Sequence, residues 1–446
     1  MIAKIFTRIR VQVWIVIGLG FLLRFILAAS PEVEIDETAF AQAALSYLKG
    51  NFFENVAFGH PMFMKLLFAG SAALFGADGR AGTLFPWLPE SIGALRLVSV
   101  VLGSATCLIV YCLVKEATGR HIIAIIPCIL LAFEPMSIAE SSYGILDPGT
   151  TFFYMASILF FYRYIAGGRG WNFYASAILF GLSVASKYFA FMGIFVLIGM
   201  MLWKRKTRSE WKPMAVFLLI AVIAFFLVQP YLWSDQVIVN LSRSLSYDWG
   251  HLQSGHSVKR PGNPFLIPKI QLNGNPWPYL SPSNPIASKP DFYALGSEAV
   301  PSPWWYLLYI QSMYSTPFQI LIYPVAICKM IRSIFHRQTT DLVVMGTLLA
   351  LIPTLWFAFM NVRLPQYTVL PSTSSVVLGS VAFLHLSRKN EKHFLVMLGI
   401  LHVSWTLVFL LTSADRFSGW GFYYTPMTPL IADLFHLLWA LGFSIR

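Results

Sequence analysis

Residues 11–37 read VQVWIVIGLGFLLRFILAASPEVEIDE, an apolar run to Ala29 interrupted by Arg24, followed at once by Glu32, Glu34, Asp36 and Glu37. A helix needs roughly 20 apolar residues to cross the hydrocarbon core of a bilayer, and this run is about that long. Lys4, Arg8 and Arg10 precede it. A signal peptide starts in the same way, but its apolar region is shorter and closes on a small-residue cleavage pattern, which is not clear here. The run therefore reads as a first span that delivers a cluster of carboxylates to the far face.

The rest of the chain repeats the apolar half of this pattern. Of 446 residues, 57% are hydrophobic and 12% charged, against about 25% charged in a soluble protein. A disordered chain, a nucleic-acid-binding domain and a conventional cytosolic enzyme are excluded. Further apolar windows fall near 93–114, 121–134, 148–166, 171–186, 188–203, 213–231, 304–328, 341–360, 366–386, 394–412 and 427–443. The expected fold is an all-α integral membrane protein, a polytopic helical bundle of about 11–12 spans. It forms one membrane-embedded domain over 1–446 with two large outer-face loops, 30–92 and 232–303.

The net charge of +12 is explained by topology, because cytoplasmic loops are enriched in Lys and Arg. With the N-terminus inside, the basic segments Lys115–Arg120, Arg163–Gly170, Lys204–Lys212, Lys329–Asp341 and Arg388–Lys392 share one face. Most carboxylates, from Glu32 to Asp248, fall on the other. The four cysteines, Cys107, Cys112, Cys128 and Cys328, lie in apolar stretches, with neither a disulfide framework nor zinc spacing. A divalent cation stays open, but no ligand spacing indicates one, and no other cofactor is implied.

The first outer loop has a helical pattern through Ala39–Leu48 and an amphipathic run Met62–Phe75 suited to the interface. The second, rich in Pro, Gly, Asn and Trp, reads as a folded cap over the site. Adjacent carboxylates at Asp36-Glu37 point in different directions, so one can face a reaction centre while the other orients it; a solvated acidic loop is the plain alternative. Gly59-His60-Pro61 precedes Lys65 by one helical turn. Arg96, Asp147, Lys187 and Arg363 sit at outer ends of spans, where charge is costly and marks sites unless it snorkels to water. Arg24, inside the first span, has no such place. Cations gathered beside two carboxylates suggest an anionic lipid headgroup and an acid/base group.

The order of these motifs resembles the protein O-mannosyltransferase family of the GT-C glycosyltransferase superfamily. Asp36-Glu37-Thr38-Ala39-Phe40 is similar to its Asp-Glu motif. Gly59-His60-Pro61-Met62-Phe63-Met64-Lys65 is similar to its His-Pro-Pro-Leu-Gly-Lys, with Met62 in place of the second proline. Leu95-Arg96-Leu97 resembles Arg-Leu-Pro without the proline, and Ser142-Tyr143-Gly144-Ile145-Leu146-Asp147 resembles Ser-Arg-x-x-Leu-Asp without the arginine. Gly181-Leu182 through Lys187-Tyr188 is similar to Gly-Leu-x-x-x-x-Lys-Trp. Ser254-Gly255-His256 and Pro303-Trp304-Trp305-Tyr306 resemble the large loop and its exit.

The resemblance implies inverting transfer of a sugar, mannose in this family, from a polyprenyl-phosphate donor to a hydroxyl acceptor, Ser or Thr of protein, on the outer face. Asp36 would be the base, and Glu37 would position donor sugar or acceptor. Arg96 and Lys187, with Arg363 as a third, would hold the phosphate. His60, Lys65, Asp147 and His256 would bind substrate or shape the site. Lacking the soluble sugar-binding module of eukaryotic members, the chain is expected to have a bacterial or archaeal source. Three rivals stay open: a lipid or cell-envelope glycan acceptor, as in aminoarabinose transferases; a secondary transporter; and a non-catalytic scaffold. Long outer loops and polar groups gathered at one face argue against the transporter, whose sites lie at the midplane.

Overall fold

Apolar stretches this long must satisfy their backbone internally, and helices do so. The computed structural model describes residues 10–29, 35–52, 60–75, 90–204, 211–233, 237–254, 258–259, 299–300 and 340–359, with helical residues within 324–333 and 373–406. Arg363, His256 and most of 260–303 lie outside the described residues, as do residues 304–323 of the window at 304–328 and the whole window at 427–443.

Helix α1 (Val11–Ala28) is followed by α2 (Ile35–Leu48), α3 (Phe63–Phe75) and α4 (Glu90–Thr118). Next come α5 (His121–Ala132), α6 (Pro135–Ser142), α7 (Asp147–Ile165) and α8 (Trp171–Val184). A 3-10 turn at Tyr188–Met192 leads into α9 (Gly193–Lys204) and α10 (Trp211–Leu227). A second 3-10 turn, Pro230–Trp233, leads to α11 (Val237–Ser254); the last labelled helix is α12 (Asp341–Phe359). The strand residues among those described are one two-residue antiparallel pair, Val258–Lys259 with Ala299–Val300. Helices α1 and α4 are each long and apolar enough to cross a membrane, and α3, α8, α9, α10 and α12 contain shorter apolar segments.

The window at 121–134 is not a simple span. Helix α5 ends at Ala132, and the chain turns by 56° into α6. Pro135 causes the break: it disfavours helical backbone at the residue before it, and Glu134 is extended at φ −76° and ψ 122°. A break inside the bundle strands the last carbonyls of α5. Side chains from both ends of the chain collect them. The Leu130 carbonyl accepts from His402 Nε2 at 3.0 Å, Leu131 and Ala132 from Arg24 Nη2 and Nη1 at 3.0 Å each, and Phe133 from Thr406 Oγ1. Arg24, unplaced by sequence, is this cap.

The bundle has two polar ends. At one, Arg163 pairs with Glu116 at 2.9 Å, and Asp341 accepts from Tyr162 at 2.8 Å, from Trp203 at 3.1 Å and from Lys204 at 2.5 Å. The other end gathers the carboxylates of α2 and α7 with Arg96 and Lys187.

Candidate active site

Asp36 and Glu37 occupy the first turn of α2, where the helix dipole favours negative charge. Successive helical residues point about 100° apart, and here the two differ in surroundings: Asp36 is half-buried and Glu37 fully buried. The Glu37 carboxylate accepts from Arg96 Nε and Nη2, both at 2.8 Å, and from the Gly144 backbone N–H at 2.6 Å. Arg96 Nη1 donates to the Ala28 carbonyl at the end of α1, 3.0 Å away. Its guanidinium lies 5.2 Å from the centre of the Tyr143 ring, a residue that stands where the resembling motif carries arginine.

This pair binds the end of α1, the start of α2, the first third of α4 and the turn at 143–147 into one cluster. Gly144 is required by close approach: a Cβ there would stand 2.5 Å from Leu95 Cβ. Arg96, expected to hold a donor phosphate, directs three of its nitrogens to Glu37 and the Ala28 carbonyl. A bidentate guanidinium suits a buried carboxylate in a way an ammonium does not.

A second buried pair stands on the same turn. Asp147 opens α7, and its two carboxylate oxygens accept from Lys187 Nζ at 3.0 and 2.8 Å. Lys187 follows the end of α8 in extended backbone, φ −156° and ψ 128°, and its ammonium lies 5.3 Å from the Phe189 ring centre. Asp147 and Lys187, both assigned to the outer ends of spans, are thus brought together as an ion pair.

The His60 segment forms the third part. Lys65 in α3, almost wholly buried, donates through Nζ to the His60 carbonyl at 2.7 Å, and burial pushes its ammonium down to about 7. The His60 ring stands edge-on to Phe40 of α2, centroids 6.1 Å apart. Beside Lys187 opens an apolar groove of about 440 Å³, walled by Phe180, Tyr188, Phe189, Phe225, Phe226 and Leu241 among others. Among the described residues, no three His, Cys, Asp or Glu side chains are grouped to hold a metal ion. Sequence reasoning gave Tyr143 and Gly144 no role beyond their place in a motif and missed Gln229, whose only signal was a polar residue before Pro230 at the end of an apolar window.

The chain is a helical membrane bundle with carboxylates, buried cations and an apolar groove at one end, and solved structures share this fold. The structure of ArnT from Cupriavidus metallidurans in the apo state is similar at TM-score 0.57 and 14% identity, covering 95% of this chain and 76% of that one. The Archaeoglobus fulgidus oligosaccharyltransferase in its apo form is similar at TM-score 0.53 and 15% identity, covering 95% and 55%. At these identities the likeness is one of fold.

The chain belongs to the dolichyl-phosphate-mannose-protein mannosyltransferase family, whose model matches residues 14–242. Over 172 residues it is 30% identical to dolichyl-phosphate-mannose–protein mannosyltransferase 1 of Saccharomyces cerevisiae, covering 36% of this chain and 21% of the relative. Over 192 residues it is 28% identical to protein O-mannosyl-transferase 2 of Danio rerio, covering 41% and 25%. The matches thus span a fifth to a quarter of these relatives' length. Both are eukaryotic and lend no support to the expected bacterial or archaeal source.

Proposed function

We propose that this protein transfers mannose from a polyprenyl-phosphate donor to a hydroxyl acceptor, Ser or Thr of protein, with inversion, on the outer face of the membrane. The observation that carries the reading is Asp36, half-buried beside a neighbour whose carboxylate is locked in place. Glu37 is fixed by Arg96 and Gly144, and the half-buried Asp36 beside it is the carboxylate we assign to accept the proton.

The acceptor oxygen attacks the sugar's anomeric carbon from the face opposite the phosphate. Its proton passes to Asp36 as the new C–O bond forms, and the bond to the phosphate oxygen breaks, leaving negative charge on the lipid phosphate. A positioned base contributes ~10²–10⁴-fold. Fixed positive charge near the leaving group stabilises the transition state most, and Lys187, held by Asp147 next to the groove residues Tyr188 and Phe189, supplies it. Arg363 is the second cation of this reading. The groove suits an isoprenoid chain; the structures similar in fold include ArnT bound to undecaprenyl phosphate and an archaeal oligosaccharyltransferase with a dolichol-phosphate. His60, Lys65 and His256 shape the site, the loop at 232–303 caps it, and the N-terminus is cytoplasmic.

The test is membranes carrying the protein, given radiolabelled polyprenyl-phosphate mannose. Label recovered in protein and released by mild base supports transfer to Ser or Thr. Label in a lipid or glycan fraction moves the acceptor, and no transfer overturns the reading.

A further inference from the structure

Gln229 is fully buried two residues past the end of α10 and makes three chain segments meet. Its Oε1 accepts from the Met62 N–H at 2.8 Å, and its Nε2 donates to the Ala185 carbonyl at 3.1 Å. The same carbonyl accepts from the Phe63 N–H at 3.0 Å. One side chain therefore ties the entry to α3 to the turn that follows α8. Two residues before Met62 is His60, whose carbonyl holds Lys65; two residues after Ala185 is Lys187, which holds Asp147. One turn before Gln229 on its own segment, Phe225 and Phe226 wall the apolar groove.

Met62 is where the chain departs from the motif it resembles. Proline there has no N–H to satisfy, whereas methionine brings a donor into a buried place, where an unmatched N–H is costly. Gln229 is its match. We infer that Gln229 is a positioning residue, a clasp that sets Lys187 and the His60 segment at the phosphate end of the groove and compensates for the missing proline. The inference rests on the proposed donor chemistry.

The experiment uses the purified full-length chain in lipid nanodiscs with tritiated polyprenyl-phosphate mannose, reading binding and transfer together. Gln229→Met keeps the bulk and strands the Met62 N–H. The donor KM should rise about tenfold and kcat should fall with it, because Lys187 acts on the leaving phosphate in the transition state as well as on the bound donor. Adding Met62→Pro removes the stranded donor, and the donor KM should return to within about threefold of wild type, since the two positions are directly coupled. An unchanged KM in Gln229→Met, or costs that simply add in the double variant, overturns the clasp. If Gln229→Met yields no folded protein, Gln229→Glu is read on the same scale: it keeps the acceptor for Met62, and a KM equal to wild type overturns the clasp equally. Wild-type protein that binds no donor defeats the proposed function itself, whereas normal wild-type binding with an unaffected variant defeats the clasp alone.

Discussion

Arg24, inside the first apolar helix, donates through Nη1 to the carbonyl of Ala132 at 3.0 Å, 108 residues along the chain. With the Leu131 contact and a 2.7 Å bond from Nη2 to Ser137 Oγ, it spans the break between α5 and α6. The backbone carbonyl of Arg24 in turn accepts from Ser142 Oγ at 3.1 Å, and two residues later Gly144 donates to Glu37. The charge in the span thus supports the segment that carries the site.

Arg24→Met should therefore destabilise the protein, because each stranded buried carbonyl costs about 1–3 kcal/mol. Arg24→Lys should recover part of the loss, since one ammonium does not reproduce the planar fork. Thermal unfolding in detergent would show the order wild type, Lys, Met. An unchanged midpoint in Arg24→Met would remove the cap from the account.

The Glu37–Arg96 pair predicts a different pattern. Removing one member of a fully buried pair leaves an unmatched charge and costs about 3–5 kcal/mol, while neutralising both is often tolerated. Arg96→Met should give little folded protein, and Glu37→Gln with Arg96→Met should restore folding without restoring transfer. A folded Arg96→Met protein whose only defect is a raised donor KM would return Arg96 to the phosphate.

Gly144→Ala tests the approach of the 143–147 turn to α4. The added methyl meets Leu95 Cβ at 2.5 Å, closer than real contacts allow, so the turn must retreat and its N–H must leave Glu37. Transfer should fall more than stability does, since Asp147 moves with the same turn. Equal transfer by the alanine variant would show that the turn has room.

Much of this was legible because apolar runs follow from composition. The windows at 11–29, 148–166, 171–186 and 341–360 closely match α1, α7, α8 and α12. The break at 133–135 was not legible as a turn, because the apolar window at 121–134 reads as one span and Glu134-Pro135 as its end, while the chain continues as a second buried helix after the backbone restriction from Pro135. Helix α11 lay hidden in a loop read by its Pro and Gly, although Val237–Ser254 holds no proline. Of the candidate site residues, the sequence singled out Asp147 and Lys187 at span ends, and the fold shows them paired. The partner of Arg96 was not legible, because a guanidinium holds a phosphate or a carboxylate equally well. Only the fold shows that Glu37 stands within reach.

Lys65 gives a pH dependence. Burial lowers its ammonium from an ordinary value near 10.5 to about 7, so between these values the unfolded chain holds a proton that the folded chain has released. Stability contributed by this group therefore rises with pH across that window. Lys65→Met should be more stable than wild type near pH 6.5, and the difference in unfolding midpoint should shrink towards pH 9.5. A difference independent of pH would mean that the ammonium is not held away from water.

Asp36→Asn bears on the chemistry most directly. The amide keeps the shape of the side chain and loses the ability to accept a proton, so transfer should fall by ~10²-fold or more. Glu37 stays locked by Arg96 and Gly144, and the groove with Lys187 is untouched, so donor binding should persist. Transfer and donor binding must be read on the same folded sample, because loss of both would signal a structural role. Glu37→Gln should behave in the opposite manner: it leaves Arg96 without its buried partner and should lower the unfolding midpoint. A variant that loses transfer at constant stability and constant donor affinity identifies the base; near-normal transfer by folded Asp36→Asn protein removes Asp36 from the mechanism.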